Sequence, residues 1–310
     1  MTTVWWSPLW KVLRKMAMTM SMKNKMVING YKMRKIRIIS LGWCLCMAMM
    51  CVAMPASSFK ASAAEVNTYR LDSLETLVDS LMPHMNDYNE KTVFKTFFET
   101  IDKVVTPHEW ADRMKADMIA QMFDGFTTDD EKWLYDFYLQ ESGNAADSLK
   151  EKVKTHYEAM LSKYGHLFPG KPAPDFTFTD LKGKRLSLAS FRGQTLLVDI
   201  WGTWCGPCKE EIPYIAALQK EYAGRKDVRI MSIACDKKAE RWKTYLDKHP
   251  ASWDQYLITG EGNKVLDEVY FCEGIPRFFI IDKQGRFITA DAMRPSEKGF
   301  AEYFKKVVNQ

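Results

Sequence analysis

Trp204-Cys205-Gly206-Pro207-Cys208 places two thiols three positions apart, the residue type and spacing in this chain that most directly offer chemistry. Such a pair can be half of a zinc site, a structural staple or a thiol–disulfide centre. Its surroundings bear on the choice. Thr195 to Trp201 is a near-continuous apolar run with strand character, and Gly206 to Tyr222 reads as a helix interrupted near Pro213. The cysteines therefore fall where a buried strand meets a helix. Cys205 then stands at the helix N-terminus, where unpaired N–H groups and the macrodipole favour an anion. That lowers a thiol pKa and raises the fraction of thiolate, the attacking species. Cys208 follows one turn later on the same face, within disulfide range and more buried. Pro207 suits the first turn, because its missing N–H would have had no helical partner. Trp201 and Trp204 offer an apolar collar around the exposed sulfur. A structural zinc site needs a second ligand pair, and Cys235 and Cys272 are singletons without a suitably spaced His. A structural disulfide seldom spans so small a loop at a helix start. The context favours redox chemistry, with zinc and staple as the alternatives.

Charge and leader composition bear on the compartment. The chain of 310 residues carries a formal +5, but ten of its 44 basic residues lie in residues 1–63, which contain no Asp or Glu. Residues 64–310 are left with 34 basic and 39 acidic side chains, a net −5, so a nucleic-acid role loses its electrostatic support. Met33-Arg34-Lys35-Ile36-Arg37, the uncharged run Ile38–Met54 and Ala61-Ser62-Ala63 read as an export signal cut after Ala63, with translation starting at Met33. The alternative is a membrane anchor formed by residues 38–54. Cleavage leaves Cys205, Cys208, Cys235 and Cys272 in an oxidising compartment, probed by no reductant of the cytosol.

Residues 64–165 have helical spacing: Leu71, Leu74, Leu77, Val78 and Leu81, then Val93, Phe94, Phe97, Phe98 and Ile101, then Trp133, Leu134, Phe137 and Tyr138. Pro83, Pro107, the Gly125 region and Ser142-Gly143 divide the segment into four or five expected helices. The aromatic stripes read as core, and His84, His108, His156 and His166 lack metal-ligand spacing. The role of this domain is not legible. Residues 166–175, with three prolines in Pro169–Pro174, read as an extended linker.

Beyond the linker, residues 176–310 alternate strands and helices. Phe176–Phe178 and Arg185–Leu188 form an expected hairpin, Val228–Ala234 another apolar strand and Ala239–Lys248 a helix. Arg277–Ile281 and Arg286–Ala290 flank a second hairpin turn, and Ser296–Val308 closes the chain as a helix. The order implies an α/β sandwich around a mixed sheet. Gly260-Glu261-Gly262 reads as a turn, far short of a phosphate loop, and no cofactor or metal is expected.

Several motifs then resemble one family in order. Trp204–Cys208 preceded by Val198-Asp199-Ile200-Trp201 is similar to the thioredoxin active site. Pro172-Ala173-Pro174-Asp175-Phe176, Lys209-Glu210-Glu211-Ile212-Pro213 and Gly274-Ile275-Pro276 with Phe278–Asp282 resemble the TlpA/ResA branch of exported thiol–disulfide oxidoreductases. The resemblance covers about residues 168–308. It implies a thioredoxin-like fold, a mixed central sheet flanked by helices, here preceded by an all-helical domain. It implies that Cys205 attacks a substrate disulfide, that Cys208 resolves the mixed disulfide, and that the two form the redox disulfide. Trp204, Gly206, Pro207, Ile275 and Pro276 would contact substrate, with Pro276 in the family's cis-proline loop and the Ile275 backbone exposed for pairing. The implied partners are a disulfide-containing exported protein and a membrane electron donor.

Two acids compete for proton handling. Asp199 matches thioredoxin's buried acid, and Glu211 matches the acid that the TlpA/ResA group places after the motif. For Glu211 the alternative is a solvated surface charge. Arg277 departs from the family's usual Thr after the cis-proline; it is expected either to stabilise the Cys205 thiolate or to be a salt-bridged edge residue. Cys235 and Cys272 read as buried inert thiols, with an extra disulfide as the sharper idea. Two rival functions are a peroxidase, for which position 199 holds Asp where that motif needs Thr or Pro, and a module whose helical domain captures a client.

Overall fold

The computed structural model describes residues 90–105 and 107–309. The expected leader, the anchor alternative over residues 38–54 and the Leu71–Leu81 helix lie outside them. The described residues belong to two compact units, one holding residues 90–126 and 131–160, the other residues 127–130 and 161–309.

The first unit is helical. It contains α1 (Glu90–Val104), α2 (His108–Asp124), α3 (Lys132–Glu141) and most of α4 (Asp147–Tyr164). Pro107 is the N-cap of α2, where its lack of an N–H costs nothing, and Gly125 is its C-cap. The aromatic stripes meet inside: Phe94 and Phe98 of α1 pack against Phe137 of α3 with ring centroids 6.2 and 5.2 Å apart. Lys115, buried on α2, is neutralised by Asp102 at 2.6 Å and Asp112 at 3.5 Å. A buried ammonium requires such partners.

The second unit is built on one sheet. Its strands are β1 (Thr177–Thr179), β2 (Arg185–Ser187), β3 (Thr195–Trp201), β4 (Val228–Ala234), β5 (Asp254–Ile258), β6 (Arg277–Ile281) and β7 (Phe287–Thr289), in the order β2-β1-β5-β4-β3-β6-β7. β3, β4 and β5 run parallel, whereas β6 lies antiparallel against β3 and the outer pairs are antiparallel. The helices are α5 (Gly206–Tyr222), α6 (Ala239–Lys248), α7 (Gly260–Glu268) and α8 (Phe300–Val308). Every residue of β3 is buried, as a strand covered on both faces must be. On one face Leu197, Ile230, Phe278 and Ile280 pack with Ile215 and Leu218 of α5 and Phe300 and Phe304 of α8. On the other, the Tyr270 ring packs edge-on or tilted among Phe176, Phe279 and Phe287 with centroids 4.9–5.6 Å away.

Three local readings are corrected by the structure, and it adds one strand that the sequence analysis does not assign. α5 runs unbroken through Pro213, which sits on the helix's exposed side. β5 was not legible, since its Asp254 and Gln255 dilute the apolar pattern; pairing with β4 and β1 makes it a strand. Gly260-Glu261-Gly262 opens α7 instead of forming a turn, with Thr259 Oγ1 accepting from Gly262 N at 2.9 Å. A Cβ on Gly262 would lie 2.2 Å from the Thr177 carbonyl oxygen, so glycine is there for close packing on β1. Finally, the last helix begins at Phe300, because Gly299 takes φ 93° and interrupts the turn before it. That leaves Ser296 outside any helix. The proline-rich segment is extended and tied down: Gly170 and Ala173 donate to the carbonyls of Phe287 and Gly285, and Pro172 bridges to Arg286.

Candidate active site

β3 ends at Trp201, and the chain turns through Gly202-Thr203-Trp204 into α5, at the carboxyl edge of the parallel strands where open α/β sheets place their sites. The turn is clamped from the loop after β4. Asp236 accepts from Thr203 N at 2.8 Å and from Thr203 Oγ1 at 2.5 Å, with both residues buried. Gly202 allows the Trp204 indole to fold back over it; a Cβ there would lie 2.9 Å from Trp204 Nε1.

Cys205 is the N-cap of α5, and its sulfur accepts from Cys208 N at 3.2 Å. Cys205 and Cys208 are joined as a disulfide. The Cys205 sulfur lies 3.8 Å from the Ile275 carbonyl oxygen, and the Ile275–Pro276 bond is cis. The structure thus brings Cys205, Cys208, Ile275 and Pro276 together. Trp204 is 57% exposed and Gly206 and Pro207 are exposed beside it, forming the rim. Cys205 itself is only 5% exposed, against 2% for Cys208, so the expectation of an exposed sulfur within an apolar collar is corrected. Both sulfurs pack with Trp201, Ala234, Trp242 and Leu246, and Ile275 closes over them. What distinguishes Cys205 is its place at the helix terminus beside the exposed rim.

Two buried acids stand on the strand and the helix that flank the pair. Asp199 on β3 is 4% exposed and Glu211 on α5 is 2% exposed, which removes the solvated-charge alternative for Glu211. Burial pushes the Asp199 carboxyl up to about 7, with the Glu211 charge adding to the rise and a hydrogen bond from Ser232 opposing it. Ser232 Oγ donates to Asp199 Oδ2 at 2.8 Å and itself accepts from Trp253 Nε1 at 2.8 Å. Glu211 accepts from Ser296 N at 2.9 Å and from Ser296 Oγ at 2.7 Å. Ser232, Trp253, Ser296 and Asp236 escaped the sequence reading. A lone serine in the apolar run Val228–Ala234 was the one available signal, for Ser232.

Arg277, on a strand inside the sheet, is salt-bridged: its Nε donates to the Ala290 carbonyl at 3.1 Å and lies 3.5 Å from Asp291. Cys235 and Cys272 are free, and burial raises their thiols to about 12 and about 11. Neither holds appreciable thiolate near neutrality. Among the described residues no group of three or more His, Cys, Asp or Glu side chains is arranged to hold a metal ion.

Residues 168–304 match the redoxin family. Over 153 residues the chain is 31% identical to the thiol-disulfide oxidoreductase ResA of Bacillus cereus, covering 49% of this chain and 86% of that protein. The chain belongs to the ResA family of thiol–disulfide oxidoreductases. The ResA of Bacillus subtilis is 26% identical over the same length, covering 83% of that protein. Among solved structures, the thioredoxin domain of a thiol-disulfide oxidoreductase from Bacteroides vulgatus is 29% identical, with a TM-score of 0.42 over 46% of this chain and 98% of that one. The ResA-type region is thioredoxin-like in fold, and its enzymatic class is thiol–disulfide oxidoreductase.

Proposed function

We propose that this enzyme reduces disulfides of exported proteins by dithiol–disulfide exchange. The Cys205 thiolate attacks a substrate sulfur and expels the other as a thiolate. Cys208 then attacks Cys205 in the mixed disulfide, releasing the second substrate sulfur and closing the Cys205–Cys208 bond. The observation that carries these roles is the N-cap position of Cys205, whose sulfur accepts the Cys208 N–H. That hydrogen bond and the helix terminus favour negative charge on Cys205. Trp204, Gly206 and Pro207 form the docking rim, and the Ile275 backbone offers extended pairing to the substrate. The Gly-Pro dipeptide between the cysteines, as in reducing thioredoxins, supports the reducing direction. A protein that ends each turnover oxidised needs electrons from outside the compartment, and a membrane donor supplies them in this reading. Export and cleavage after Ala63 rest on the charge and hydropathy pattern of residues 1–63.

The deciding experiment is the reduction potential of the Cys205–Cys208 couple, equilibrated against glutathione or dithiothreitol. A value of about −250 mV or lower fits a reductant, whereas about −120 to −180 mV belongs to oxidants and isomerases and overturns the direction. Trapping tests the roles: Cys208→Ser accumulates a mixed disulfide with substrate and Cys205→Ser forms none. Sequencing the N-terminus of the exported protein tests the leader; a mature chain retaining residues 38–54 replaces cleavage with anchoring.

A further inference from the structure

Lys209 directly follows Cys208 on α5 and is exposed. Its Nζ lies over the half-buried Tyr245 ring of α6, 5.4 Å from the centroid. Tyr245 packs in turn on Trp201, with ring centroids 5.6 Å apart, against the apolar cluster that holds both sulfurs. Lys238, Arg241, Tyr245 and Lys248 follow one another at steps of three or four, so they line one face of α6, and the three cations are exposed. Lys209, Lys238, Arg241 and Lys248 join no ion pair among the described residues. This cationic strip runs against the charge of residues 64–310, which is a net −5.

The helix itself gains nothing from these charges. Lys238 is the N-cap of α6 and gives it no side-chain hydrogen bond. That position favours Asp, Asn, Ser or Thr, whose oxygens satisfy a free N–H, and a cation there opposes the macrodipole. A residue that breaks a local rule without compensation points to function. The nearby acids stand elsewhere. Glu240 and Asp247 share a different face of α6 with Lys243, and Asp236 is buried and holds Thr203. Glu210 is turned about 100° from Lys209 around the α5 axis.

We propose that Lys209, Lys238, Arg241 and Lys248, set around Tyr245, form a docking strip for an acidic segment beside the disulfide of the substrate protein. The proposal rests on the reductase reading above and names its substrate class. Lys209 stands about one helical turn, some 6 Å, beyond Cys205, so residues next to a substrate cysteine come within its reach when a sulfur meets Cys205. From Lys238 to Lys248 the strip is about 15 Å long, which four or five extended residues cover. Carboxylates on that segment pair with the cations, and the Tyr245 ring gives the chain an apolar floor. The strip touches none of the reacting atoms; it steers approach and holds the encounter complex. Its place at the cysteine edge, around an aromatic ring, favours a polypeptide over an anionic lipid surface.

The test is stopped-flow reduction, by the prereduced exported protein, of three peptides that share one internal disulfide. Its flanks are Asp and Glu in the first, Asn and Gln in the second, Lys and Arg in the third. At low salt the acidic peptide should react about tenfold faster than the amide peptide, the summed worth of several exposed ion pairs, and the basic peptide slowest. The net charge of residues 64–310 taken alone favours the basic peptide, so the order discriminates. Raising the salt from about 20 to about 500 mM should draw the three rates together. Lys238→Glu/Arg241→Glu should invert the order, and the ratio of two peptide rates cancels any general loss in that variant. Anisotropy of a cysteine-free acidic peptide with the oxidised protein should show the same salt and variant dependence without turnover. Equal rates for the three peptides, or an order unmoved by the charge reversal, overturns the inference. So does binding to phosphatidylglycerol vesicles with no preference among the peptides. Peptide binding as expected, with none of the peptides reduced, overturns the proposed function alone.

Discussion

Asp236 holds Thr203 by two hydrogen bonds, from its backbone N at 2.8 Å and its hydroxyl at 2.5 Å, two residues before Cys205. The loop after β4 thereby fixes the turn out of β3. Because Asp236 is buried, its removal leaves the Thr203 N–H and hydroxyl without their acceptor. Asp236→Ala should cost about 2–4 kcal/mol, the sum of two hydrogen bonds to a charged group with some relaxation. Denaturant unfolding of the oxidised protein measures it. A loss below about 0.5 kcal/mol would show that the turn holds without the clamp.

Asp199 gives the protein a pH dependence of definite sign. Its carboxyl is raised in the folded state to about 7 from an ordinary 3.8. The folded protein therefore binds this proton more tightly than the unfolded chain between those values, and the resulting stability is fully present at low pH and lost as pH rises towards 7. The contribution is on the order of a few kcal/mol. Unfolding of wild type and Asp199→Asn from pH 4.5 to 8 checks it: the stability of the variant relative to wild type should rise across that range. A constant difference would mean that Asp199 is not protonated in the fold.

Asp199→Asn should also slow disulfide exchange near pH 7 more than Glu211→Gln does, because a carboxyl raised to about 7 is partly ionised there and can exchange a proton with Cys208. Stopped-flow reduction of a protein disulfide by the prereduced enzyme measures both. Equal rates for Asp199→Asn and wild type contradict the assignment.

Cys235 and Cys272 should be silent. With thiols raised to about 12 and about 11, less than about one part in a thousand is thiolate at pH 7.5. In folded Cys205→Ser/Cys208→Ser protein, iodoacetamide should label neither at an appreciable rate, and denaturation should then reveal two thiols. A count of zero after denaturation would mean that the two are joined.

Trp204 should matter to substrates and little to the fold. Its ring is 57% exposed, so Trp204→Ala should change stability by no more than about 0.5 kcal/mol. Reduction of a folded protein disulfide should fall severalfold, through KM, while reduction of a small disulfide such as oxidised glutathione changes less. Equal losses on both substrates would place Trp204 in support of the cysteines and not in docking.

The amino-acid sequence by itself determined what depends on near neighbours. β3 and β4 are apolar runs, α6 is a helix of suitable period, and the cysteine pair sits at a strand-to-helix join because Pro207 and the residues around it allow little else there. The tertiary structure decided what depends on residues far apart in the chain. Ser296 reaches Glu211 across 85 positions, from the segment that precedes the final helix. Ser232 meets Asp199 through the register of β3 on β4, and Trp253 arrives from the start of β5, a strand that its own residues do not announce. Local patterning follows from backbone propensity and the burial of apolar side chains. The partner of a buried polar group is set instead by how strands align and where loops return, which a linear pattern does not record.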